Sequence, residues 1–254
     1  MMKRVLTYVV SVCAILFLWE MASIAVNAIN HAALLPGPFD ALSQVVKNAN
    51  ELQHHFFASA WRLVLAILIA LAVGVPLGLA IGREPTLDRF FSPIIYITYP
   101  IPQVALILFL FVVFGTGSAT KIMMVALVLF YQILVSARGA AKNIPEEYII
   151  SVRSAGASRW QIYWHVILPA SLPDILTSVR VSIGLGIAFL YIAETNAALG
   201  SGLGGYINKH MLFQRDRAFA GIIALAILGL ILYLIVDGLE RLLCRWKYVA
   251  RRSR

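Results

Sequence analysis

Long uncharged apolar runs, separated by short clusters of charge, dominate the chain. A helix needs about 20 mainly apolar residues to cross the ~30 Å hydrocarbon layer of a bilayer, because each residue advances it by about 1.5 Å. Six segments reach or approach that length. Val5 to Val26 is interrupted only by Glu20, and Leu63 to Ile81 and Ala218 to Val236 carry no charge. Phe90 to Thr120 is also uncharged and provides one span with a tail, while Ile122 to Ala137 extends backwards through Gly117 and Ser118. Val181 to Ala193, bounded by Arg180 and Glu194, reaches full length only by starting near Asp174. The pattern predicts an all-α polytopic membrane protein with six transmembrane helices, read as a single transmembrane domain over residues 1–254.

Composition agrees. Of 254 residues, 61% are hydrophobic and 13% charged, against roughly a quarter charged in a soluble domain. The net charge of +9 raises the question of nucleic acid, but the basic residues sit between apolar runs rather than along one face, so no nucleic-acid partner is expected. With the N-terminus inside and six spans, 15 of the 21 lysines and arginines fall on inside segments and 6 outside. By the positive-inside rule both termini are cytoplasmic, in an inner (plasma) membrane. The first segment has a second reading as a cleaved signal peptide, with Lys3 and Arg4 ahead of it and Val26-Asn27-Ala28 as cleavage site; its length favours an anchor. Cys13 and Cys244 lack metal-ligand spacing and read as thiols buried in helices.

The segment between the fourth and fifth spans, about residues 138–174, is too long for a turn. Pro145 suits a helix start, and Glu146 and Glu147 follow where negative charge meets the positive helix end. That helix should run to about Ala155, with a break at Gly156. Ser158-Arg159-Trp160-Gln161 fits a capping box opening a second short helix that ends near Leu168-Pro169. Two readings stand: an amphipathic hairpin lying among lipid headgroups, or a docking element for a cytoplasmic partner, presenting Arg153, Ser158 and Arg159.

Polar groups within the spans are candidates for a solute pathway, because an ionised residue mid-membrane costs at least ~2.5–3.5 kcal/mol and faces a cavity or a partner. Glu194 is the first of these, with Asn196 nearby and Gln103 on the third span; the alternative for Glu194 is an interfacial carboxylate paired with Arg215 or Lys209. Tyr99 and Pro100 line a constriction or belong to an aromatic belt. Glu20 reads as structural. No lysine or arginine is placed mid-membrane by the pattern.

Ser154-Ala155-Gly156-Ala157-Ser158-Arg159-Trp160-Gln161, followed by Val166-Ile167-Leu168-Pro169-Ala170, resembles the cytoplasmic loop of binding-protein-dependent ABC transporter permeases. In that family's pattern nine residues separate a glycine from an isoleucine, and after one more residue Leu-Pro follows. Here Val166 holds the isoleucine position and Leu168-Pro169 match, whereas the preceding Glu-Ala-Ala positions fall on Ile150-Ser151-Val152 and differ. Leu35-Pro36-Gly37-Pro38, Leu87-Asp88, Tyr99-Pro100-Ile101-Pro102, Phe114-Gly115-Thr116-Gly117, Ala193-Glu194 and Gly202-Leu203-Gly204 are similar to the nitrate, sulfonate and taurine subfamily. The resemblance implies the type I ABC importer permease fold. It also implies two permease copies forming the pore, two cytoplasmic ATPase subunits beneath them that use ATP and Mg, and an external solute-binding protein. The loop would then be an ATPase-coupling element built from Glu146, Glu147, Arg153, Ala155, Gly156, Ala157, Ser158, Arg159, Trp160, Leu168 and Pro169. Its coupling helix lies around Ala157 to Trp160, and the solute is a small anion such as a sulfonate, taurine, nitrate or bicarbonate.

No catalytic or metal site and no bound cofactor is expected. Gly200, Gly202 and Gly205 spell G-x-G-x-x-G, but a membrane helix rather than a strand precedes them and no acidic residue follows at the right distance, so a turn-rich loop is expected. No G-x-x-x-x-G-K-[ST] occurs, so an ATPase motor would be a separate chain. His54 and His55 read as surface residues and His165 as packing. The competing class is a secondary transporter or channel working without an ATPase.

Overall fold

A computed structural model describes residues 2–195 and 201–246. Helices follow one another as α1 (Met2–Asn30), α2 (Pro38–Lys47), α3 (Ala49–Arg83), α4 (Pro85–Thr98), α5 (Ile107–Phe114), α6 (Ser118–Lys142), α7 (Glu146–Ser154), α8 (Arg159–Ile162), α9 (Leu168–Thr195), α10 (Leu203–His210) and α11 (Arg215–Leu243). Among the described residues, five helical stretches are long and apolar enough to cross a membrane. The third expected span differs from expectation: α4 and a segment from Gln103 to Phe114, opening with a 3₁₀ turn, meet at an 83° bend and make a sixth crossing only together. Pro100 and Pro102 cause the break, since each lacks an N–H and Pro102 takes an extended conformation with ψ 100°. Turn bonds from Ile101 to the Thr98 carbonyl at 3.1 Å and from Ala105 to the Pro102 carbonyl at 2.9 Å serve part of the interrupted backbone.

Two compact units can be distinguished: Met1–Ser59 with Leu199–Ile227, and Ala60–Ala198 with Leu228–Arg254. In the first, α1 is held by a polar clamp more than by packing, with 6% of its span window buried. Asn27 Oδ1 accepts from the Leu34 and Leu35 N–H groups at 2.7 and 3.0 Å, Ser23 donates to the Leu35 carbonyl at 2.6 Å, and the Trp19 indole donates to Pro36 at 3.1 Å. The Leu35-Pro36 stretch is thereby fixed along α1. His55 and Ser59 cap α10: His55 Nδ1 accepts from the Gly202 N–H at 3.0 Å and Ser59 Oγ from the Leu203 N–H at 2.8 Å. His55 is thus half-buried and engaged rather than a surface residue, while His54 is exposed as expected. Gly202 opens a helix where a turn-rich loop was expected; Gly200 lies outside the described residues. Cys13 is exposed on α1, contrary to expectation, and Cys244 is buried.

The second unit is organised by a close approach of α3 to α6. Gly74, Gly78 and Gly82 recur every four residues on α3 and face α6 along one line. A Cβ on Gly78 would stand 2.6 Å from the Leu134 carbonyl and 2.7 Å from Ala137 Cβ, and one on Gly82 would collide with the Arg138 carbonyl. Small residues at such spacing let two membrane helices touch backbone to backbone, where dispersion and weak Cα–H contacts replace the missing hydrophobic drive. Around the inner end of this contact Leu79, Ala137 and Ala141 form a core with Ile144, Ile149, Ile162, Ile167 and Ile175, so the 138–174 segment packs inward on the bundle.

Sign distinguishes this contact from ordinary helix propensity. A methyl group added at Gly184 on α9 would meet no atom within 4 Å, so Gly184→Ala is expected to hold or gain up to about 1 kcal/mol. Gly78→Ala should instead lose about 1–3 kcal/mol through overpacking, read as a lower thermal midpoint of the detergent-solubilised protein. Equal midpoints for the two variants would contradict the backbone contact.

Candidate functional site

The 138–174 segment forms an elbow. α7 carries Glu146 and Glu147 in its first turn and ends at Ala155. Gly156 follows with φ +87°, a left-handed conformation that costs an L-residue roughly 1–2 kcal/mol. Ser158 then opens α8 with the expected reciprocal cap: its hydroxyl accepts from the Gln161 N–H at 3.3 Å while its own N–H donates to Gln161 Oε1 at 2.8 Å. The second short helix does not end near Leu168-Pro169. A π turn over Tyr163–Ile167 carries the chain into α9, the Leu168 N–H reaching back to the Tyr163 carbonyl. This wider turn shifts the register so that Pro169 falls in the first turn of α9, where a missing N–H is tolerated.

The elbow has two faces. Ile149, Ile162 and Ile167 are buried against the bundle, and Glu146 pairs with Arg83 at the C-terminal end of α3. Ser154, Ala155, Gly156, Ser158, Arg153 and Arg159 are exposed, and Trp160 is 68% exposed, stacked on Tyr163 with centroids 5.9 Å apart. An open cleft of about 930 Å³ runs beside the elbow, with Arg89, Arg153 and Arg159 on its wall. Asp88, from the Leu87-Asp88 motif, ties α4 to α6: it accepts from Arg138 Nε at 2.6 Å, Lys142 Nζ at 2.8 Å and the Ser92 hydroxyl at 3.0 Å.

The expected pathway residues fall into separate settings. Tyr99, Pro100 and Gln103 stand together at the break between α4 and the 3₁₀ turn. Gln132 on α6 donates to the Tyr99 hydroxyl at 3.1 Å, Tyr131 meets the Tyr99 ring edge-on with centroids 6.3 Å apart, and Gln103 reaches the Tyr99 carbonyl at 3.5 Å. Glu194 is elsewhere and fully buried. Its partner is neither Arg215 nor Lys209, which bind the Ala33 carbonyl and Glu51 respectively. Arg62 holds it at 2.7 Å, with side chains 5% and 0% exposed, and Arg62 also donates to the Ser118 hydroxyl at 3.2 and 3.1 Å. Lys121, 2% exposed, feels the charge of both. Asn196 lies outside the described residues.

Two buried cations thus stand where the hydropathy pattern places none. The apolar run starts at Leu63, which puts Arg62 in an outside loop, but α3 begins at Ala49 and carries Arg62 inside a continuous helix. Lys121 likewise lies within α6. The only signal in the sequence is the coincidence of each cation with the edge of a span that the helix overruns.

Removing one member of a buried ion pair strands the other charge, at a cost of about 3–5 kcal/mol. Arg62→Ala is therefore expected to lower the thermal midpoint sharply, whereas Lys209→Ala, which breaks the exposed pair with Glu51, should cost under about 1 kcal/mol. Comparable midpoints would show that the Arg62–Glu194 pair does not hold α3 to α9.

Residues 74–245 match the model of the family described as binding-protein-dependent transport system inner membrane component. The taurine transport system permease protein TauC of Escherichia coli (strain K12) is 35% identical over 84% of this chain and 80% of its own length. The putative aliphatic sulfonates transport permease protein SsuC of the same organism is 32% identical over 91% and 88%. The formylaminopyrimidine transport permease protein ThiX of Halalkalibacterium halodurans is 26% identical over 92% of each chain. Among solved structures, an inward-facing form of the MetNI methionine ABC transporter superposes with a TM-score of 0.66 at 20% identity, covering 78% of this chain and 98% of that one. The fold is that of a type I ABC importer permease, with several membrane-crossing helices. The chain belongs to the family of inner-membrane permease components of binding-protein-dependent ABC importers.

Proposed function

We propose that this chain, paired with a second copy of itself, forms the translocation pathway of an ATP-driven importer for a small sulfonate or related anion. It has no catalytic site of its own. An external binding protein delivers the solute, and two cytoplasmic ATPase subunits, which hold the ATP and Mg, drive the cycle through the elbow. Both termini lie on the ATPase side. The whole described chain acts as one transmembrane domain with the elbow as its handle. Relatives named for taurine and aliphatic sulfonates, 35% and 32% identical, support the class of solute. Family membership favours this reading over a transporter that works alone.

The observation that carries the mechanical reading is the two-faced elbow turning at Gly156. A lever transmits force only when one side is fixed to the moving body and the other can be gripped. Ile149, Ile162 and Ile167 fix the inner side to α3, α6 and α9. The outer side offers Trp160 and the arginines at 153 and 159 on solvent-exposed backbone. Exposed apolar and charged side chains beside a helix cap suit a protein groove. Approach of the two ATPases would then displace the elbows and tilt the helices attached to them, in rigid-body fashion. The bent third crossing supports a pathway at Tyr99, Pro100 and Gln103, because irregular backbone at membrane depth is tolerated where it is buried in protein or lines water.

Gly156→Val tests the lever. No atom lies within 4 Å of the Cβ position at Gly156, so the substitution acts through φ and not by a clash. Binding-protein-dependent uptake should fall at least ten-fold, and loaded binding protein should no longer stimulate ATP hydrolysis, with membrane insertion retained. Gly139→Ala, also in open space but with ordinary helical geometry, should leave both activities intact. Unchanged uptake and stimulated hydrolysis in Gly156→Val would refute the assignment.

A further inference from the structure

A groove of about 350 Å³ lined mostly by polar residues runs between two membrane-crossing helices. Gln132 and Ser136 of α6 form one wall, and Asp174, Thr177, Ser178 and Ser182 of α9 form the other, together with the exposed Val181. Two of the hydroxyls are engaged with backbone: Ser136 donates to the Asp174 carbonyl at 3.3 Å and Ser178 to the Gln132 carbonyl at 3.4 Å. Gln132 spends one amide hydrogen on the Tyr99 hydroxyl at 3.1 Å, which links the groove to the break in the third crossing. Its second hydrogen and the hydroxyls of Thr177 and Ser182 make no hydrogen bond among the described residues, and no ion pair holds the Asp174 carboxylate there.

A lining of six polar residues to one apolar, Val181, is unlike a lipid-facing surface. Ionised and strongly polar groups in spanning helices face water, solute or another protein, because hydrocarbon offers them nothing. It is also unlike a site for a simple anion, since lysine and arginine are missing from the lining and one carboxylate is present. Asp174 and Thr177 lie three residues apart, about 4.5 Å along the axis of α9, with Ser178 one turn from Asp174. A cationic group on the carboxylate would therefore place a second group, a few bonds away, among hydroxyl and amide donors.

We propose that the groove is a solute-contact site on the translocation route and that it takes a small zwitterion bearing an ammonium and an oxoanion. Asp174 receives the ammonium, and Thr177, Ser182 and the Gln132 amide donate to the oxoanion oxygens. The inference rests on the reading of the chain as a translocating permease and specifies its solute further, as an oxoanion whose charge is balanced by an ammonium on the same molecule.

The test uses the full transporter in membranes, with Cys13 and Cys244 replaced by serine and Ser178→Cys introduced. Two membrane-impermeant methanethiosulfonates serve as probes, one carrying a trimethylammonium and one a sulfonate, applied without nucleotide and in an ATP-trapped state. Both should modify the thiol in at least one state. Adding Asp174→Asn should lower the ratio of cationic to anionic reaction rates three-fold or more. In the parent Ser178→Cys transporter, 2-aminoethanesulfonate at millimolar concentration should slow modification more than ethanesulfonate does, and Asp174→Asn should erase that difference. Three results would overturn the proposal: no modification in either state, a disulfide between two copies at Ser178→Cys with no modification (a groove covered by the second copy), or a rate ratio indifferent to Asp174→Asn. Stimulation of ATP hydrolysis by loaded binding protein is measured on the same preparation. A modified groove in a transporter that fails to couple counts against the lever alone, and an unmodified groove in a coupled one counts against this site alone.

Discussion

Backbone contact between α3 and α6 is the constraint on which the second unit depends. Lipid chains are as apolar as leucine, so burying leucines between two membrane helices gains little, and association has to come from close packing. Gly74, Gly78 and Gly82 provide it by leaving the space that a Cβ would fill to the carbonyls and small side chains of α6. Once the helices touch there, Ala137 and Ala141 sit at the right height to receive Leu79 from one side and the isoleucines of the elbow from the other. The elbow's seat on the bundle therefore depends on a contact one helix away.

Charge supplies the second layer of cohesion. Arg62 joins α3 to α9 through Glu194, Arg138 joins α6 to α4 through Asp88, and Arg180 joins α9 to the inner end of α11 through Asp237 at 2.5 Å and Glu240 at 3.2 Å. Each pair connects helices that are distant in sequence. Such pairs add less net stability than their geometry suggests, since both partners lose hydration, but they punish any rearrangement that separates them. They hold the arrangement of the helices more than they hold the chain in the folded state.

Two places depart from regular helix packing, and both carry the proposed function. The break at Tyr99 to Pro102 leaves a crossing whose halves meet at 83° and whose backbone is held by turn bonds and by Gln132. Gly156 permits the sharp reversal between α7 and α8 at a point with nothing packed around it. On the proposed reading, such a turn beside a fixed core would let the small helix α8 act on helices several times its length.

Much of the architecture was legible in the chain itself. Length and apolarity placed five of the spans, because the bilayer admits few backbone solutions, and left the bent third one to the tertiary structure. Local chemistry fixed the elbow: the break at Gly156 and the Ser158–Gln161 cap are decided by residues within three positions of one another. Tertiary structure alone decided what depends on partners far along the chain. Glu194 could be seen as polar in a span, but its pairing with Arg62, 132 positions away, follows from how α3 and α9 pack. Both Pro100 with Pro102 and Pro169 with Pro173 read as helix breakers, yet the first pair lies at an 83° bend while the second sits within α9, entered through a π turn. Hydropathy averages over faces of a helix and is blind to which polar side chains meet. Only packing brings Gln132 beside Tyr99 and sets Asp174 and its hydroxyl neighbours in one groove.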